Sequence, residues 1–209
     1  MKTTFINKNF EENKMEQTNM VNGINMNDFT GTIEAIKDQP VLAKFKFRAN
    51  NEWINAGHTR TEIKDFYGTC EDIKHAKSFT LDSDEPPLLL SGDKGPNPVE
   101  YALTGLAGCL MTSLVYHAAA KGIQLEEVEA TLEGDLDLHG FLGLDESIRN
   151  GYEQVRVNFK VKGDMSEEMK EELIQIAQFR SPVFDIFTNK VPVSVQLEKE
   201  SSVASSITE

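Results

Sequence analysis

Asn97-Pro98-Val99-Glu100-Tyr101-Ala102-Leu103-Thr104-Gly105-Leu106-Ala107-Gly108-Cys109-Leu110-Met111-Thr112-Ser113-Leu114-Val115-Tyr116-His117-Ala118-Ala119-Ala120-Lys121-Gly122 is a helix with both ends written into it. Asn97 is a favoured N-cap, Pro98 suits the first helical position, and Lys121-Gly122 supplies a cation and a glycine stop. Leu103, Leu106, Leu110 and Leu114 follow the helical period, and Gly105 and Gly108 admit a close neighbour. The run is nearly free of charge, so it is a core helix or a membrane span. Thr104, Thr112, Ser113 and His117 interrupt it and no aromatic or basic flanks frame it, which favours the core helix. Cys109 lies mid-way along it. Two readings stay open for this thiol: a small buried hydrophobe, or a nucleophile held on a rigid element where water reaches it poorly.

The chain has 209 residues with 39% hydrophobic content, enough for one domain with a tail at each end. Residues 1–26, rich in Asn, Lys, Glu and Met, read as a poorly ordered extension, 27–199 as the domain, and 200–209 as a flexible tail. A net charge of −13 argues against nucleic acid and anionic lipid as partners. The first residues lack the apolar core of a signal peptide, so a cytoplasmic location is expected. The two cysteines, Cys70 and Cys109, then sit in a reducing compartment, where a permanent disulfide is not expected. With no CxxC pair and four scattered histidines, neither a metal site nor a bound cofactor is expected.

Asn27 to Lys37 reads as a short helix capped by Asn27 or Asp28. Val41 to Ala49 and Trp53 to Ile63 read as a hairpin joined by Asn50-Asn51-Glu52. Asp82 to Asn97 is a long irregular approach to the Cys109 helix, of the kind that carries function. Beyond that helix, Val128 to Leu138 and Tyr152 to Lys162 alternate as strands with one buried face. A second helix follows, capped by Asp164 or Ser166, with Met169, Leu173, Ile176 and Phe179 as its stripe. Ser181-Pro182 opens a further helical turn, and Val191, Val193, Val195 and Leu197 alternate as a last strand. This order gives an α+β class, not a doubly wound parallel sheet.

Gly95-Pro96-Asn97-Pro98 through His117-Ala118-Ala119-Ala120, and Arg180-Ser181-Pro182-Val183-Phe184-Asp185, resemble the OsmC/Ohr family of cytoplasmic organic hydroperoxide reductases. The resemblance covers roughly residues 41 to 199. It implies antiparallel and mixed sheets around two long central helices in an intertwined homodimer, with active sites at the subunit interface. It also implies that Cys109 attacks an organic hydroperoxide to give an alcohol and a sulfenic acid, with a thiol as reductant. Ser181 stands where two-cysteine members of the family carry a resolving cysteine, which marks a subgroup without one; Cys70 is the remaining resolving candidate, and a plain loop thiol is its other reading.

With Pro98 first, Cys109 lies about 16 Å along the helix, beyond the reach of the N-terminal dipole. A cation must therefore activate it. The family uses an arginine held by a glutamate at the helix start, which points to Arg60, with Arg48 as second candidate, and to Glu100. Glu100 comes one residue later than in the family, about half a turn round the helix from Cys109. Tyr116 shares the Cys109 face and is expected to line a substrate pocket with Arg48, while His117 reads as a core histidine. The rival function is a family-fold protein that binds a small ligand, or serves in redox stress, without efficient peroxidase turnover.

Overall fold

The computed structural model describes residues 19–198, so the expectations for residues 1–18 and 200–209 lie outside the described part. Residues Met20–Val21 (β1) and Ile24–Asn25 (β2), placed by the sequence in the loose extension, form a small hairpin. Asn25 caps helix α1 (Met26–Asp38), accepting from the Asn27 N–H at 3.0 Å, so the helix starts one residue before its sequence-predicted start. The strand expected over residues 41–49 is largely a 3-10 turn, Pro40–Ala43, with only Lys46–Phe47 (β3) extended. Pro40 has no N–H for a ladder and its fixed φ suits the first position of a helical turn.

Three strands then form the larger antiparallel sheet: β4 (Asn50–Asn55), β5 (His58–Gly68) and β6 (Glu71–Ser83), with β3 also pairing to β5. The residues taken for a hairpin turn, Asn50-Asn51-Glu52, lie inside β4; the turns are Ala56-Gly57 and Thr69-Cys70. Thr69 and Cys70 both have left-handed backbones, φ 49° and 69°, the conformation that a two-residue hairpin matching strand twist requires. A row of rings, Phe47, Phe45, Phe66, His75 and Phe79, runs along this sheet with neighbouring centroids 5.1 to 6.1 Å apart.

Helix α2 (Pro98–Ala120) follows the irregular approach, and its cap forms as the sequence predicts. Asn97 Oδ1 accepts from the Glu100 N–H and Glu100 Oε2 accepts from the Asn97 N–H, both at 2.8 Å. Gly122, φ +73°, takes the left-handed position that ends it. Strands β7 (Leu125–Asp135) and β8 (Gln154–Gly163) pair antiparallel, with the short helix α3 (Leu138–Phe141) between them. Their exposed face carries Glu127–Lys162, Glu129–Lys160 and Glu133–Arg156 rungs. These rungs are exposed and screened by water, so they add little to stability. Helices α4 (Glu167–Arg180, capped by Ser166) and α5 (Pro182–Thr188, capped by Ser181) complete the α+β fold. Val191 to Leu197, expected as a closing strand, pairs with nothing among the described residues, and its four apolar side chains are exposed.

The core lies where α2 crosses α4 over the β7–β8 sheet. Leu114, Ala118, Leu173 and Ala177 are fully buried there, with Val128, Phe159 and Val161 packed beneath. By length and composition α2 is apolar enough to cross a membrane, and only 28% of its most apolar window is buried among the described residues. Replacing Leu114, fully buried in this cluster, by Ala opens a cavity and should lower unfolding stability by about 2–5 kcal/mol. Urea titration followed by circular dichroism measures this; a loss under 1 kcal/mol would place the core elsewhere.

Candidate functional site

The sheet of β4–β6 reaches α2 through a small set of fixed contacts at the end of β6. Tyr101 donates its hydroxyl to the Asp82 carbonyl at 2.8 Å, tying the first turn of α2 to that strand end. Gly95 lies against the same carbonyl so closely that a Cβ would meet it at 2.1 Å, which only a glycine allows. From the other side, Tyr152 donates to the Val99 carbonyl at 2.9 Å.

The irregular approach is organised by Asp84, which is 1% exposed. Its carboxylate accepts from the Ser91 hydroxyl and from the backbone N–H of Glu85, Gly92 and Lys94 at 2.8 to 3.1 Å. Four donors converging on one carboxylate hold Leu90 and Asp93 in left-handed backbones, φ 61° and 54°. The Ser91 hydroxyl first, then the Lys94, Glu85 and Gly92 N–H groups, hold the Asp84 carboxyl below the usual carboxylate range against the opposing effect of burial.

Cys109 is half-buried on α2, and among the described residues its thiol makes no hydrogen bond. Tyr116, two turns on, is 45% exposed and meets Phe29 of α1 edge-on at 6.0 Å. Helix α1 therefore lies against the Tyr116 end of the Cys109 face. His117 is half-buried; burial, then the charges of Arg180 and Lys121, push its imidazole below the ordinary range, so it is neutral at pH 7. Cys70 is exposed in the β5–β6 turn.

The arginine and the glutamate expected to act together are given to separate tasks. Arg60 is held by Asp82, Nε donating to Oδ1 at 2.9 Å and a terminal N–H to Oδ2 at 3.2 Å. Glu100 instead closes the capping box with Asn97. Asp82 also pairs with His58 Nε2 at 2.8 Å, and His58 first and Arg60 second keep its carboxyl below the usual range. Arg48 bridges Asp65 and Asp72 at 2.6 and 2.7 Å. Sequence reasoning missed Asp82, His58 and Asp84. The only signal was the cross-strand register, which sets Arg60 opposite Asp82 and cannot be read from one strand alone.

The family model described as OsmC-like protein matches residues 91–196, from the Asp84-bound loop through the exposed valines. An OsmC-like protein from Mycoplasma pneumoniae is 18% identical in sequence over 68% of this chain and 86% of its own, with a TM-score of 0.51. An organic hydroperoxide resistance protein OsmC from Legionella pneumophila is 19% identical over 68% and 89%, with a TM-score of 0.50. An OsmC-like protein of unknown function from Vibrio cholerae is 13% identical over 68% and 92%, with a TM-score of 0.51. Among curated proteins nothing matches.

The Asp84 carboxyl, depressed in the fold, adds stability at neutral pH that fades as pH falls through its unfolded value of about 3.9 towards its folded one. Asp84→Asn should therefore be less stable than the parent at pH 7, with the gap narrowing between about pH 5 and pH 3. Thermal melts of both proteins across that range measure the gap; parallel curves would remove Asp84 from the acid response.

Proposed function

This chain belongs to the OsmC-like family, and on that footing we propose that it reduces organic hydroperoxides with Cys109 as the single nucleophilic thiol. The thiolate attacks the terminal peroxide oxygen, a sulfur–oxygen bond forms as the oxygen–oxygen bond breaks, and the alkoxide leaves as the alcohol with a proton. Cys109 is left as sulfenic acid. A first external thiol displaces water and forms a mixed disulfide. A second releases the Cys109 thiol and departs as the oxidised pair. The observation that carries this reading is the placement of Cys109 half-buried mid-way on α2, while Cys70 sits exposed in a turn. A cytoplasmic setting would supply both the thiol reductant and a solvent that keeps the product reducible.

The cation assigned to Cys109 is Arg60, positioned by Asp82, with Arg48 as second candidate. Tyr116 is the assigned pocket wall. A homodimer is part of the proposal. Three apolar surfaces are uncovered within one subunit: the open faces of α2, the ring row ending in Phe47 at 76% exposure, and the Val191–Leu197 stretch. A second copy supplies matching surfaces to each.

One observation favours the second reading, a family-fold binding or redox-stress protein without efficient peroxidase turnover. Ser181, at the resolving position, is 2% exposed, and its hydroxyl accepts the Phe184 N–H at 3.1 Å as the α5 cap. Its role is structural, and no thiol takes its place.

Brief exposure to cumene hydroperoxide followed by mass spectrometry should show sulfenic acid or its derivatives at Cys109 before Cys70; equal or faster labelling of Cys70 removes the assignment. Cys70→Ser should keep turnover with a small thiol, whereas loss of turnover with a single round of Cys109 oxidation retained assigns resolution to Cys70. Light scattering should give about twice the 23.4 kDa of one chain, and a monomer at micromolar concentration would sink the interface site.

A further inference from the structure

Between the N-terminal half of α2, the start of β8 and α5 lies a cavity of about 330 Å³ that does not include Cys109. Leu106 forms its floor, and Val155, Val157, Phe184 and Phe187 its apolar walls. Tyr152 closes one side, with its ring held still by the bond from its hydroxyl to the Val99 carbonyl. Two opposite charges stand at the solvent rim, Arg149 and Glu153.

Both charges are without a partner. Among the described residues neither side chain makes an ion pair or a hydrogen bond, and this is unusual for an arginine here. Arg48, Arg60 and Arg156 are each held by carboxylates, and Arg180 stacks over Phe179 at 4.9 Å. In a chain of net charge −13, an arginine that has taken no carboxylate of its own presents a fork suited to an anion from outside. Glu153 presents the complementary acceptor for a cation on the same rim.

We infer that this cavity binds a small zwitterion with an apolar side chain, a free α-amino acid of the leucine or phenylalanine kind. The carboxylate lies on Arg149, the ammonium on Glu153, and the side chain enters between Phe184 and Phe187 towards Leu106. The volume is at the lower end of the range of about 300–1,000 Å³ in which pockets enclose small ligands, so it takes one such molecule and not a lipid or a peptide. Two opposite charges at the rim set the orientation, and the apolar floor excludes amino acids with charged side chains, which would be desolvated without a partner. The inference stands on the cavity and its rim alone, independent of any chemistry at Cys109.

Isothermal titration calorimetry on the full chain tests it with L-phenylalanine, 3-phenylpropanoate, which lacks the ammonium, and 2-phenylethylamine, which lacks the carboxylate. L-Phenylalanine should bind at least tenfold more tightly than either. Arg149→Gln and Glu153→Gln, both exposed and leaving the circular dichroism spectrum unchanged, should each weaken it at least tenfold, while Cys109→Ser should leave binding intact. Equal affinity for 3-phenylpropanoate would make the cavity a simple carboxylate site and overturn the zwitterion. So would no binding of any probe, as when a second copy of the chain fills the cavity, or binding that ignores both rim variants.

Discussion

Everything in this fold hangs on the contact of α2 with α4, where Leu114 and Ala118 meet Leu173 and Ala177 with no exposure at all. Two alanines in a set of four let the helix axes come close, and the leucines fill the space so created. The β7–β8 sheet lies under that crossing, and α5 is fixed to it by the short Ser181 turn that ends α4. The sheet of β4–β6 depends on the crossing at one remove. It is joined to α2 through Tyr101 and Gly95, within four residues of the Asn97 cap, and through the Asp84-centred loop before it. The sealed core is small, and much apolar surface stays exposed on the described residues.

Elements with local causes were legible in the sequence. The α2 caps are written in residues next to each other, and so are the Ser166 and Ser181 caps, because a side chain three residues away satisfies a free backbone N–H. The alternation of β7 and β8 was legible for the same reason, with boundaries shifted by one to three residues. Val191 to Leu197 alternates just as well and pairs with no strand among the described residues. A period-2 pattern states which face is to be buried but not what buries it. The first hairpin was displaced because Asn50-Asn51-Glu52 has turn composition, while β4 is an edge strand on which polar residues are tolerated.

The candidate site divides along the same line. The helix that carries Cys109 and the Ser181 cap were readable from single positions. The partner of Arg60 was not, since Asp82 lies on another strand and is brought opposite by register. Glu100 was expected to hold Arg60 at long range, and the structure closes it into a capping box with Asn97 at short range. The local one prevailed, because closing a ring with a residue three positions away orders almost no additional chain. Asp84 was hidden inside a segment recognised only as irregular, and it is the residue that makes that segment a defined shape.

The position of α2 in chain order has a bearing on synthesis. Its core partners, Leu173 and Ala177, follow Leu114 by about sixty residues, and at roughly 5–20 residues per second a ribosome needs some 3–12 s to deliver them. During that interval α2 has α1, the β4–β6 sheet and then β7 and β8 beside it, but not α4, the helix that seals Leu114 and Ala118. The nascent chain thus passes through a stage at which its most adhesive segment is complete and its cover has yet to be made. Rapid translation through β7, β8 and α4, or a chaperone resting on α2 in the meantime, becomes a condition for the protein's yield in the cell, separate from its stability once folded.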